Sequence, residues 1–114
     1  GEMRNIDELI LTEKEIIQRY LREYKVTLES ESIKGRLSEL ISVLAEKYQT
    51  QVVVLIDEYD KPILDNITDL ARAIEIREEL KNFYSVLKDS DEHLKFVFIT
   101  GVTKFSKVSI FSGL

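Results

Sequence analysis

Five consecutive apolar residues, Val52-Val53-Val54-Leu55-Ile56, run straight into Asp57-Glu58-Tyr59-Asp60. Unbroken hydrophobicity dominated by β-branched side chains predicts a strand covered on both faces, as in a parallel sheet. A second run of the same kind, Phe96-Val97-Phe98-Ile99, stops at Thr100-Gly101. Between them Leu70, Ile76, Leu80, Phe83, Tyr84 and Leu87 keep helical spacing, with Lys81 and Lys88 suited to the negative end of a helix dipole. Pro62 denies the first strand any continuation, and Asp65, Asn66 and Thr68 offer caps for a long helix reaching about Lys88. Strand, helix and strand predict an α/β fold with a parallel βαβ unit, its strands at about 52–57 and 95–100 and its crossover right-handed.

The N-terminal part reads as helical. Ile6, Leu9 and Ile10 share a face; Thr12 and Glu15 then have the spacing of a capping box, and Ile16, Ile17, Tyr20, Leu21 and Tyr24 follow at helical intervals. Two helices in tandem are expected there. Residues 25–32 break the period, and their serines can cap a further helix, whose stripe is Ile33, Leu37, Leu40, Ile41, Leu44 and Tyr48. The aromatic residues on these stripes, Tyr20, Tyr24, Tyr48, Phe83 and Tyr84, are expected in the core.

At 114 residues with 44% apolar content the chain suits one domain, 1–114. Its net charge of −5 comes from interspersed acidic and basic residues, which disfavours direct nucleic-acid binding by this piece. Cysteine is absent, which rules out disulfides and thiolate metal sites, the lone His93 cannot build a zinc centre by itself, and a reducing, cytoplasmic setting is compatible. His93 lacks a nearby nucleophile in the sequence and is expected at the surface. No run approaches the roughly 20 apolar residues of a membrane span. The chain opens on Gly1 and stops at Gly113-Leu114, and with two visible strands it is expected to be a piece of a longer chain.

In parallel α/β sheets functional groups collect beyond the carboxyl ends of the strands, here Asp57 to Asp60 and Thr100 to Thr103. Carboxylates about 4 Å apart repel by about 1 kcal/mol in bulk water and about 4 kcal/mol at an effective dielectric near 20, so crowded acids favour a cation. Magnesium fits when phosphates complete its shell. Asp57 is then the candidate for holding Mg²⁺, Glu58 for aiming a carboxylate at the attacking water, and Thr100 for orienting that water or sensing the γ-phosphate. Acids after a hydrophobic strand can equally solvate a turn or cap the next helix.

The strings VVVLIDEYDKPILD, FYSVLK and FVFITGVTKFSKVSIFSGL closely resemble the AAA-ATPase-like family, P-loop NTPases of bacteria and archaea that often carry a PD-(D/E)XK nuclease-like domain farther along the chain. The resemblance covers about residues 33–114 and is firmest over 52–64 and 94–114. It implies part of a three-layer P-loop NTPase-type domain in which Val52 to Glu58 is the Walker B strand, Asp57 the magnesium-side acid and Glu58 the catalytic base. It makes Phe96 to Thr100 the strand bearing the sensor position, Thr100, with Thr103 as its neighbour. The Walker A loop is missing: none of Gly1, Gly35, Gly101 or Gly113 opens a G-x-x-x-x-G-K-[ST] match. Mg²⁺ and ATP are accordingly expected in the full-length parent, with this piece inactive by itself.

In related ATPases the sensor strand lies between the Walker A and Walker B strands. The resemblance therefore implies an exposed edge on Phe96 to Thr100, through which this piece is expected to form a homodimer or exchange strands. Lys104, Ser106 and Lys107 fit a solvated loop better than a phosphate contact, and Asp60-Lys61-Pro62 fits a rigid turn presenting the acids. Phe105, Ile110 and Phe111 are expected to pack on residues beyond this chain. The alternatives are a non-catalytic interaction or scaffold domain, and a metal-dependent nuclease on Asp57, Glu58 and Asp60. The nuclease lacks an evident catalytic lysine on an adjoining strand.

Overall fold

The computed structural model describes residues 5–102, so the expectations for Thr103, Lys104, Phe105, Ser106, Lys107, Ile110 and Phe111 lie outside the described residues. In chain order the elements are α1 (Ile6–Tyr24), α2 (Ile33–Tyr48), β1 (Val52–Ile56), α3 (Lys61–Leu64), α4 (Leu70–Asp89) and β2 (Leu94–Ile99). The two strands are parallel neighbours, with a helix between them in sequence, as expected of a βαβ unit.

Asn5 caps α1 by accepting from the Glu8 N–H at 2.9 Å. The helix then runs unbroken, which corrects the expected tandem pair. Thr12 is an interior residue whose hydroxyl donates back to the Glu8 carbonyl at 2.9 Å, a bond that satisfies threonine without ending the helix. Ser32 caps α2 by accepting from the Gly35 N–H at 3.0 Å. A Cβ at residue 35 would stand 2.8 Å from the Ser32 oxygen, so glycine leaves room for that cap.

The segment between β1 and α4 also differs from expectation. Pro62 sits in the first turn of the short α3, where a missing N–H goes unneeded. Asp69 caps α4, accepting from the Arg72 N–H at 3.1 Å. Asp65 pairs with Lys61 at 3.1 Å, and the Asn66 amide donates to the Pro62 carbonyl at 2.9 Å. These bonds hold Asp65 and Asn66 in the α3 turn instead of at the mouth of the long helix.

Helices cover one face of the sheet. Ile41 from α2 and Val86 and Leu87 from α4 pack with Val52, Val54 and Val97, while Leu9 from α1 and Ile76 and Leu80 from α4 pack with Ile56 and Ile99. Between the pairs Val52↔Leu94 and Val53↔Phe96 the register slips by one residue, which turns Phe96 and Phe98 to the same face as Val53 and Leu55. That face is open among the described residues, Leu55 being 71% and Phe98 57% exposed. The expectation of a strand covered on both faces therefore holds for one face here, because every described helix lies on the other.

Tyr20 and Tyr48, expected inside, are surface residues that form an aromatic row with Tyr24, ring centroids 6.2 and 6.1 Å apart. A stripe wider than the partner surface leaves its margin in water. Phe83 and Tyr84 pack against the core as expected. His93 ends a short turn at Asp91–His93, half-exposed beside Glu92. Among the described residues no helix is long and apolar enough to cross a membrane.

Candidate functional site at the carboxyl ends of the strands

Parallel pairing of β1 with β2 carries the acids that follow Ile56 and the Thr100 that follows Ile99 to one end of the sheet. The Thr100 N–H donates to the Ile56 carbonyl at 2.8 Å, extending the ladder by one rung. The Thr100 hydroxyl then donates to Asp57 Oδ1 at 2.5 Å and accepts from the Glu58 N–H at 2.9 Å. One hydroxyl thus ties both candidate acids to the neighbouring strand, using its single donor and one acceptor lone pair.

Glu58 has φ 51°, in the left-handed region, which costs a residue with a Cβ about 1–2 kcal/mol. Three hydrogen bonds around it hold the turn. They are Glu58 N–H to the Thr100 hydroxyl, Tyr59 N–H to the Thr100 carbonyl at 3.0 Å, and Lys61 N–H to the Glu58 carbonyl at 3.0 Å. Asp57 and Glu58 are exposed on this turn, whereas Tyr59 and Asp60 are buried. Tyr59 packs with Leu9, Ile76 and Leu80, anchoring the turn in the core. Burial, with the Asp60 charge added to it, pushes the Tyr59 phenol up to about 12, so it is neutral at any working pH.

Asp57, Glu58 and Thr100, which the sequence places at one sheet end, are in contact in the fold, Glu58 through its backbone N–H. Asp60 is expected among the exposed acids. Asp60 instead turns inward, 0% exposed, and its Oδ1 accepts from the Val102 N–H at 2.6 Å. The anchoring role of Tyr59 has one trace in the sequence, an aromatic residue amid three acids.

The donors suit a magnesium ion of the kind completed by phosphates. They are oxygens, and Mg²⁺ in such sites takes one or two protein carboxylates and keeps its remaining places for phosphate and water. Among the described residues no group of three or more metal-binding side chains is gathered, as a closed protein cage would require. Asp57 is exposed there and its carboxylate is oriented by Thr100, so it could serve as one such donor.

Residues 1–111 match the family described as Predicted AAA-ATPase, AAA-ATPase-like. Over 81 residues the chain is 57% identical to an uncharacterized protein in the vnfD 5′ region of Azotobacter chroococcum mcd 1. The match covers 71% of this chain and 16% of that protein, so the chain corresponds to about a sixth of its relative's length. No solved structure matches the chain. The family match spans both strands, the helices and the acid turn, and the chain belongs to the AAA-ATPase-like family.

Proposed function

We propose that this chain supplies the magnesium side of an ATP site and that the full-length protein hydrolyses ATP. Asp57 would hold Mg²⁺, directly or through water, and Glu58 would accept the proton of the attacking water. Thr100 would orient that water through the lone pair left on its hydroxyl, or turn its proton from Asp57 to the γ-phosphate. Bound Mg²⁺ would neutralise charge on the phosphate oxygens. The supporting observation is the Thr100 hydroxyl between Asp57 and the Glu58 N–H, which fixes two exposed acids and a hydroxyl at one sheet end. Turn acids that serve solvation alone have no need of a strained residue bonded to the adjacent strand.

Since the sequence lacks a G-x-x-x-x-G-K-[ST] loop, the main phosphate contacts must come from elsewhere in the longer protein. This piece by itself is accordingly inactive. The second reading is an interaction or scaffold domain, favoured by the open apolar sheet face of Val53, Leu55, Phe96 and Phe98. Calorimetry of the full-length protein with ATP separates the two. ATP should bind at least about tenfold more tightly with Mg²⁺ than with a chelator, and Asp57→Asn should abolish that difference. Equal affinity with and without the metal would remove Asp57 from its role.

A further inference from the structure

Asp60 stands at the N-terminal boundary of α3, where an aspartate ordinarily caps its own helix, yet it makes no such bond. Its carboxylate reaches instead across to the strand-end segment of β2, taking the Val102 N–H at 2.6 Å. The side chain is wholly withdrawn from water. Burying a carboxylate is costly without compensating bonds, and the Val102 N–H is one of the partners that offset that cost. It holds the far end of the same three-residue segment whose near end carries Thr100. Asp57, Glu58, Tyr59 and Asp60 each contact this segment, Asp57 and Glu58 through the Thr100 hydroxyl, Tyr59 through the Thr100 carbonyl and Asp60 through Val102.

We propose that Asp60 is a positioning residue, clipping the Thr100-Gly101-Val102 segment onto the acid turn and so fixing where the Thr100 hydroxyl stands relative to Asp57 and Glu58. The clip follows from the geometry; its catalytic consequence rests on the ATP reading. Asp60 itself touches no reacting atom. The acceptor position of its oxygen matters rather than its charge, so the isosteric amide can replace it.

The test uses the full-length protein with Asp60→Ala, Asp60→Asn and Val102→Pro, read by amide hydrogen exchange over residues 100–102 and by steady-state ATP hydrolysis. In Asp60→Ala the Val102 amide should exchange at least about tenfold faster. Its kcat should fall about 100-fold, the scale of a misplaced catalytic group, with KM held within about threefold. Asp60→Asn should restore both protection and most of kcat. Val102→Pro removes the donor and leaves Asp60 intact, and should reproduce the kcat loss without adding to that of Asp60→Ala. Unchanged exchange in Asp60→Ala would overturn the clip, and Asp60→Asn as damaging as Asp60→Ala would overturn the positioning role in favour of one needing the charge. Should Asp60→Ala fail to fold, the amide and proline variants decide. A wild-type protein without ATP turnover would remove the ATP reading, and the exchange comparison would still decide the clip.

Discussion

Thr100 and Asp57, separated by 43 positions in the chain, are joined by a hydrogen bond of 2.5 Å from the threonine hydroxyl to the carboxylate. The same hydroxyl receives the Glu58 N–H at 2.9 Å, so a single oxygen locks the acid turn to the adjacent strand.

Removing that oxygen should loosen the turn. Thr100→Val keeps the shape but removes both bonds from groups that water can reach, and should cost about 1 kcal/mol in denaturant unfolding. Thr100→Ser, which keeps the hydroxyl, should stay within about 0.5 kcal/mol of wild type. Equal losses in the two variants would assign the effect to packing of the methyl group.

Glu13 makes stability depend on pH. It is 3% exposed in α1, and burial pushes its carboxyl from the ordinary 4.5 up to about 9, with the Glu79 carboxyl beside it pushing the same way. The unfolded chain sheds this proton near pH 4.5 and the folded chain near pH 9, so the folded state binds more protons between those values. Stability from this group is therefore full below about pH 4.5 and declines as pH rises towards 9. Glu13→Gln should flatten that decline and gain at least about 1 kcal/mol over wild type at pH 8, relative to the difference at pH 4. Parallel pH profiles for the two proteins would contradict it.

The sheet face left open among the described residues should make this 114-residue chain associate. Val53, Leu55, Phe96 and Phe98 present a contiguous apolar surface of the kind that soluble monomers keep small. Light scattering over a concentration series should show growth in mass. Leu55→Lys with Phe98→Glu should suppress it while leaving the thermal midpoint within a few degrees, about the effect expected of exposed positions. A wild-type monomer at every concentration would count against both face association and strand exchange.

The parallel pair and the meeting of Asp57, Glu58 and Thr100 were legible in the sequence because both rest on short-range patterns. Two β-branched runs separated by a helical period can pair in few ways, and parallel pairing alone brings residues 57 and 100 to the same edge. What escaped depends on single side chains choosing between partners. Thr12 resembles an N-cap until a preceding turn offers it the Glu8 carbonyl. Asp65, Asn66 and Asp69 are all capping residue types, and the hydrogen bonds formed within α3 decide that only Asp69 caps α4. Asp60 sits among acids that face water, and its inward turn goes with a contact 42 residues away. Helical periodicity marks Tyr20 and Tyr48 as stripe residues but not how wide the opposing surface is.

The most direct test is Mg²⁺-dependent ATP hydrolysis by the full-length protein and its Glu58→Gln variant, with ATP affinity measured alongside. Turnover in the wild type and a loss of at least about 100-fold in the variant, with affinity within about threefold, is the predicted result for a general base at this turn. A variant that hydrolyses ATP within about fivefold of wild type would contradict the assignment of Glu58 and leave the turn as a structural joint between the two strands.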